Sequence, residues 1–302
     1  MNKIWLAGDR YISESNREHD LVNIREIAAD ELALLNSAID SLGLFNRSYS
    51  LLEICEENFL ELVEFFQRME QARGFNDKTW HGCSITLNRL LQNYLSSFRT
   101  YIDQHKAVFK RGSSSNLNLF DQFKKQTECQ SGNNFSYRFL WELRNYFQHC
   151  GLVVGGVDIF PQPGNCVGLF STMMIYLDRN SLLKVYNWKP ALKTEIENNP
   201  DRIDIKSHVL QLHDCIHEIA HLCLRSCIEL IGEKWDRLRK VVEEVSTAHP
   251  DTTPVLLMWE GEKETDMVLT NLTPLPLFTM AKIHEIWSQV ADPSNQEGRI
   301  RF

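Results

Sequence analysis

The chain has 302 residues, of which 43 % are hydrophobic and 24 % charged, with a formal net charge of −8. That composition excludes a disordered chain, and the length allows roughly three quarters of the unfolded surface to be buried without help from a metal or a disulfide. The acidic balance argues against a general nucleic-acid coat protein but leaves room for an enzyme with a local basic cleft.

The first eighty residues read as mainly helical. ADELALLNSAIDSLG (29–43) carries apolar residues at helical spacing, with Gly43 as its expected C-cap. EENFLELVEFFQRMEQARG (56–74) repeats the pattern and stops at Gly74. A longer helical segment, 84–112, ends in Lys110, Arg111 and Gly112, the cations and glycine that suit a helix C-terminus. SSSNLN is a loop, LFDQFKKQT a shorter helix and QSGNN (130–134) a breaker. FSYRFLWELRNYFQHCG follows, with Ser136 as expected N-cap and Gly151 as expected C′ residue.

Beyond Gly151 the composition turns strand-like in LVVGGVDIF and CVGLFSTMMIYLD, with PQPGN as a turn between them. Residues 178–199 return to helix and break near Pro190. Residues 203–245 form one long helix, or two broken near Gly232. A hairpin is expected over 254–272, then a final helix, LFTMAKIHEIWSQVA, and a loose tail. The eight cysteines form no CxxC, and no stretch is long and apolar enough to span a membrane. With no signal-peptide pattern at the N-terminus, they read as reduced, mostly buried thiols of a cytoplasmic protein.

On a helical wheel turning about 100° per residue, Phe139, Leu140, Leu143, Tyr146 and Phe147 share one arc, the expected core face. Trp141, Glu142, Arg144, Asn145, Gln148 and His149 fill the other. Asn145 and His149 are one turn apart on that polar face. Trp141 is unusual there, and its presence predicts that the face meets a partner chain or a nucleobase.

RNYFQHCG, following YRFLWEL and a long helix with a basic end, resembles the HEPN superfamily (higher eukaryotes and prokaryotes nucleotide-binding). Its signature is an Arg, a polar residue, then a His with four to six residues between it and the Arg; Arg144, Asn145 and His149 match it position by position. YLDRNSLLKVYNWKPALK, followed by a long helix, adds to the resemblance, which covers about residues 84 to 235. It implies a mainly α fold: an HEPN-like antiparallel helical bundle, here with a small β-hairpin and α/β decorations. It also implies a homodimer in which two Arg/His sets form a composite active site, and metal-independent endoribonuclease activity of the toxin or anti-phage defence type.

The residue types suit RNA cleavage without a cofactor. The ribose 2′-OH attacks the adjacent phosphate and leaves a 2′,3′-cyclic phosphate. His149 is the expected acid or base. Arg144 stabilises the phosphate charge, and Asn145 orients His149 or the substrate. Trp141, Gln148, Lys110 and Arg111 are expected to contact RNA, with Lys106, Lys124 and Lys125 as further basic candidates. An antitoxin or regulatory protein is a further expected partner. The domains on this reading are an N-terminal helical extension (1–80), the bundle (81–235) with a β-hairpin insertion near 152–177, and a C-terminal hairpin and helix (236–302).

Two alternatives stand beside it. One is a non-catalytic HEPN module that binds a nucleotide, RNA or protein. The other is a zinc-dependent hydrolase, since HEIAH (217–221) fits H-E-x-x-H with Glu218 as base. His213, His217 and His221 form an i, i+4, i+8 stripe bordering an apolar arc, where histidines commonly hydrogen-bond at a helix seam.

Overall fold

The computed structural model describes residues 2–13, 18–71, 77–112, 117–161, 171–232, 234–260 and 268–290. The protein is mainly helical, with nine helices and two small antiparallel sheets among the described residues. The described residues divide into two compact units, one built from residues 2–47 and 224–290, the other from 48–223. Both division points fall inside helices.

The first unit contains a four-stranded sheet ordered β2-β1-β6-β7. β1 (Asn2–Ser13) pairs with β2 (Glu18–Glu26) on one side and with β6 (Thr253–Glu260) on the other, and β7 (Val268–Pro274) closes the edge. The expected helical start of the chain is therefore a β-hairpin. Ala7, Val255 and Leu257 form the buried centre of this sheet, flanked by Trp5, Leu21 and Trp259. A strand whose partner lies near the far end of the chain has little local signature, so its stabilisation was invisible in residues 1–26 alone. The turn of the 254–272 hairpin lies outside the described residues, as does the C-terminal tail.

α8 (Lys234–Ala248) packs on β1 and β6 through Leu238, Val241 and Val245, spaced to share one helix face. Gly232, at φ +41, separates α8 from α7 (Ile205–Ile231), so the 203–245 segment takes its two-helix form. Arg25 of β2 donates to Glu31 through two nitrogens at 2.7 and 2.8 Å, and to Glu244 of α8 at 2.7 Å. α9 (Leu277–Val290) completes the unit.

α1 (Ala29–Gln71) is continuous, so Gly43 lies mid-helix and caps nothing. No atom lies within 4 Å of a Cβ built on Gly43. It faces open space, and tertiary packing on either side carries the helix past it.

The second unit holds α2 (Asp77–Gly112), α3 (Leu117–Asn133) and α4 (Phe135–His149), each in contact with the other two. α2 buries Leu87, Leu91, Tyr94, Leu95, Phe98 and Tyr101, an apolar stripe at helical spacing. Fully burying a side chain of this kind contributes roughly 1.5–3 kcal/mol. α3 runs straight through the expected QSGNN break as far as Asn133, and the break is a single residue, Asn134. Asn134 rather than Ser136 caps α4: its side chain accepts from Tyr137 N at 3.2 Å. Ser136 is instead buried against α7, bonded to His208 Nδ1 at 2.7 Å and Gln211 Oε1 at 2.6 Å.

Cys150 caps the C-terminal end of α4, and Gly151 follows with φ +107, a backbone setting that favours glycine. The chain then enters a three-stranded sheet, β3 (Val154–Pro161), β4 (Ser171–Asp178) and β5 (Arg202–Asp204), in the order β3-β4-β5. Most of the expected PQPGN turn lies outside the described residues. α5 (Arg179–Val185) and α6 (Pro190–Glu197) follow, Pro190 occupying the first helical turn where its missing N–H costs nothing.

Of the seven described cysteines, Cys55, Cys215, Cys223 and Cys227 are buried, whereas Cys129 is exposed. No described helix is long and apolar enough to cross a membrane.

Candidate functional site

The division of α4 into two faces follows the wheel. Phe139, Leu140, Leu143, Tyr146 and Phe147 are buried, while Gln148 and His149 are exposed. Glu142 departs from it, being a polar-arc residue only 7 % exposed.

What clasps the helix is the YNWK segment between α5 and α6. Trp188 stacks near Phe139 and Tyr146, at ring separations of 5.9 and 6.1 Å, and donates its indole N–H to Leu182 O at 2.9 Å. Tyr186 Oη donates to Glu142 Oε2 at 3.3 Å, and Lys189 Nζ lies 2.5 Å from Glu142 Oε1. Burial pushes the Glu142 carboxyl up, but Lys189, Asn145 and Tyr186 together outweigh it and hold the carboxyl below its ordinary value. Glu142 is thus an anchored carboxylate at neutral pH.

The three motif residues lie on the last two turns. Arg144 Nη1 donates to Gln148 Oε1 at 2.6 Å, which fixes the guanidinium along the helix. Its Nε is buried with no hydrogen-bond acceptor. Asn145 Nδ2 donates to Glu142 Oε2 at 2.9 Å, so this amide is turned to Glu142. His149 is the last helical residue and is exposed. Leu152, three residues on, and Val185 are 68 % and 57 % exposed. The Cys150 thiol, 3.8 Å from Val185 O, joins the two short segments that carry them.

Trp141 is separate from this group. It stands against its own chain: Arg99 lies over its ring at 3.8 Å, Phe98 meets it edge-on at 5.5 Å, and Tyr137 stacks at 5.9 Å. All four line or adjoin a cavity of about 570 Å³ between α2, α3, α4 and α6. Arg99, Lys106, Lys124, Arg138 and Lys189 line it, against Asp103, Glu128 and Glu142. Arg99 Nη1 is buried there without an acceptor. Of the expected RNA-contacting residues, Trp141 belongs to this cavity, Gln148 supports Arg144, and Lys110 is exposed at the end of α2. The Arg111 side chain lies outside what is described. Lys106 and Lys124 line the cavity, and Lys125 is exposed outside its lining.

The HEIAH pair is not what converges. Glu218 accepts from Gln126 Nε2 at 3.3 Å and from Gln130 Nε2, facing α3. One turn earlier, His213 and His217 close on Glu56 of α1, and among the described residues these three form the single group with metal-ligand spacing. Burial pushes up on Glu56, yet the close His213 and His217 imidazoles hold the carboxyl down at about 2. Burial also keeps the His213 imidazole on the neutral side of its ordinary value. Neither Glu142 nor Glu56 stood out in the sequence. Glu142 had a local signal, three residues before Asn145; Glu56 had none, since it lies on a different helix far upstream.

Comparison with known protein families, with curated proteins and with solved structures finds no match for this chain.

Proposed function

We propose that this protein is a metal-independent endoribonuclease of HEPN type, cleaving RNA by 2′-OH attack to leave a 2′,3′-cyclic phosphate. The observation that carries the reading is the last two turns of α4. An exposed His149 ends the helix, and five residues back stands Arg144, its guanidinium fixed by Gln148. A guanidinium held in place suits a phosphate. His149 removes or returns a proton as the O2′–P bond forms and the P–O5′ bond breaks.

Two proton transfers require two groups, and the second set comes from a second copy of the chain. The exposed Leu152 and Val185 supply an apolar edge for that contact. In this reading the protein acts in the cytoplasm as a toxin or anti-phage effector, restrained by an antitoxin or regulatory protein.

The test is cleavage of an RNA panel by purified protein in excess EDTA, with circular dichroism confirming that the protein stays folded. Cyclic-phosphate ends from wild type, absent with His149→Ala and Arg144→Ala, are the expected result. Folded wild type that cuts nothing in the panel refutes the reading.

A second reading is favoured by the basic cavity. Its volume falls in the range of small-molecule sites, and its lining by Arg99, Lys106, Lys124, Arg138 and Lys189 suits a nucleotide phosphate. In that case the protein is a nucleotide-binding module. Calorimetric titration with nucleotides, lost in Arg99→Ala while His149→Ala binds normally, distinguishes it.

A further inference from the structure

Glu56 lies on α1, and His213 and His217 lie one turn apart on the facing side of α7, all within the second compact unit. His213 Nε2 is 3.3 Å from Glu56 Oε2, His217 Nε2 is 3.0 Å from Glu56 Oε1, and the two Nε2 atoms are 3.0 Å apart. Hydrogen bonds cannot satisfy this triangle. If both imidazoles donate from Nε2 to the carboxylate, the two N–H groups oppose each other. If one nitrogen accepts from the other, its lone pair faces the carboxylate. Protons therefore resolve two of the three contacts, and a burial this complete makes the third costly. A single cation at the centre resolves all three.

The dimensions fit such an ion. Zinc-class ions take imidazole nitrogen and carboxylate oxygen at about 2.0–2.2 Å in tetrahedral array, which sets neighbouring ligand atoms roughly 3.3 Å apart. The observed separations need only a slight opening. The surroundings hold the ligands in that arrangement. The His213 ring stacks on Phe59 at 3.4 Å and 5°, and Tyr94 Oη stands 3.5 Å from His213 Nδ1, leaving Nε2 turned to the cluster. The three side chains are 10–12 % exposed, so solvent reaches the site narrowly.

We propose that Glu56, His213 and His217 bind one zinc-class divalent ion, which clasps α1 to α7 and leaves a fourth position for water. The ion uses the first two histidines of the stripe and not the HEIAH pair. The inference is independent of the RNA-cleavage reading, because none of its residues belongs to the α4 set.

The experiment uses the full-length protein, stripped with a chelator, desalted and titrated with Co²⁺ as a coloured probe. The expected result is visible d–d absorption of four- or five-coordinate Co²⁺, saturating at one ion per chain and displaced by Zn²⁺, with a rise in melting temperature. His217→Gln weakens binding by more than about a hundredfold, beyond the range for outer-shell partners, while His221→Gln binds as wild type. If His217→Gln does not fold, Tyr94→Phe replaces it, with affinity about tenfold lower. Folded wild type that gives neither the bands nor a Zn²⁺ shift overturns the proposal. So does binding abolished by His221→Gln, which assigns the ion to the other pair.

Discussion

The guanidinium carbon of Arg99 lies 3.8 Å over the ring of Trp141, joining α2 to α4 across one wall of the basic cavity. This contact gives Trp141 an occupation within its own chain. Trp141→Ala removes a cation–π pair worth about 1 kcal/mol, together with half-buried ring contacts, so the expected loss is about 2 kcal/mol in urea unfolding. The oligomeric state, read by light scattering, stays that of wild type. A variant that shifts in mass without losing stability shows instead that Trp141 faces a partner.

Asn88 fixes how the chain leaves the candidate site. It is 2 % exposed on α2, and its Oδ1 accepts from Val153 N at 3.1 Å and Val154 N at 3.4 Å, while Nδ2 donates to Ser84 O at 2.8 Å. Asn88→Leu leaves the buried Val153 N–H without its acceptor, at a cost of about 2 kcal/mol. Amide exchange at Val153 accelerates correspondingly. Unchanged exchange there rules out this role.

Acid sensitivity has an identifiable contributor in His105. It is 3 % exposed, held between Tyr101 O at 2.8 Å and Ser48 Oγ at 2.6 Å, and burial pushes its pKa down to about 4. The folded chain keeps this imidazole neutral, whereas the unfolded chain takes up a proton below about pH 6.5. Its contribution is therefore complete above about pH 6.5, is lost as the pH falls toward 4, and changes no further below that; the full loss is roughly 3 kcal/mol. Urea midpoints across this window fall less steeply for His105→Gln than for wild type. Parallel curves refute the assignment.

Local patterns were legible and remote ones were not. The core arc of α4, the positive-φ Gly151, the break at Gly232 and the β3 and β4 strands after α4 all carry their causes within a few residues. The β1 hairpin does not, because Ala7 is buried by Val255 and Leu257 from the other end of the chain. Gly43 misled for a related reason: an isolated glycine costs about 1 kcal/mol in a helix, less than the packing on either side supplies. At the site, the residue types of the motif were visible, but the carboxylate that holds Asn145 was hidden by its place on the polar arc. Glu56 was hidden altogether, since only the folding of α1 against α7 brings it to His213 and His217.

The last prediction separates a one-chain site from a composite one. His149 is exposed, so His149→Ala changes stability by less than about 0.5 kcal/mol. Cleavage falls by about 10²–10⁴ in His149→Ala and about 10²–10³ in Arg144→Ala, the ranges for losing an acid–base group and a charge stabiliser. Gln148→Ala gives a smaller loss, because it frees the guanidinium without removing it. Mixing the two inactive variants then decides the geometry. In a mixed dimer one chain keeps Arg144 and the other keeps His149, so a site that draws its Arg and His from different chains recovers part of its activity. A mixture that stays inactive after exchange, with mixed dimers confirmed by native mass spectrometry, shows that one Arg144 and one His149 from different chains do not suffice, as expected of a site that needs both complete sets.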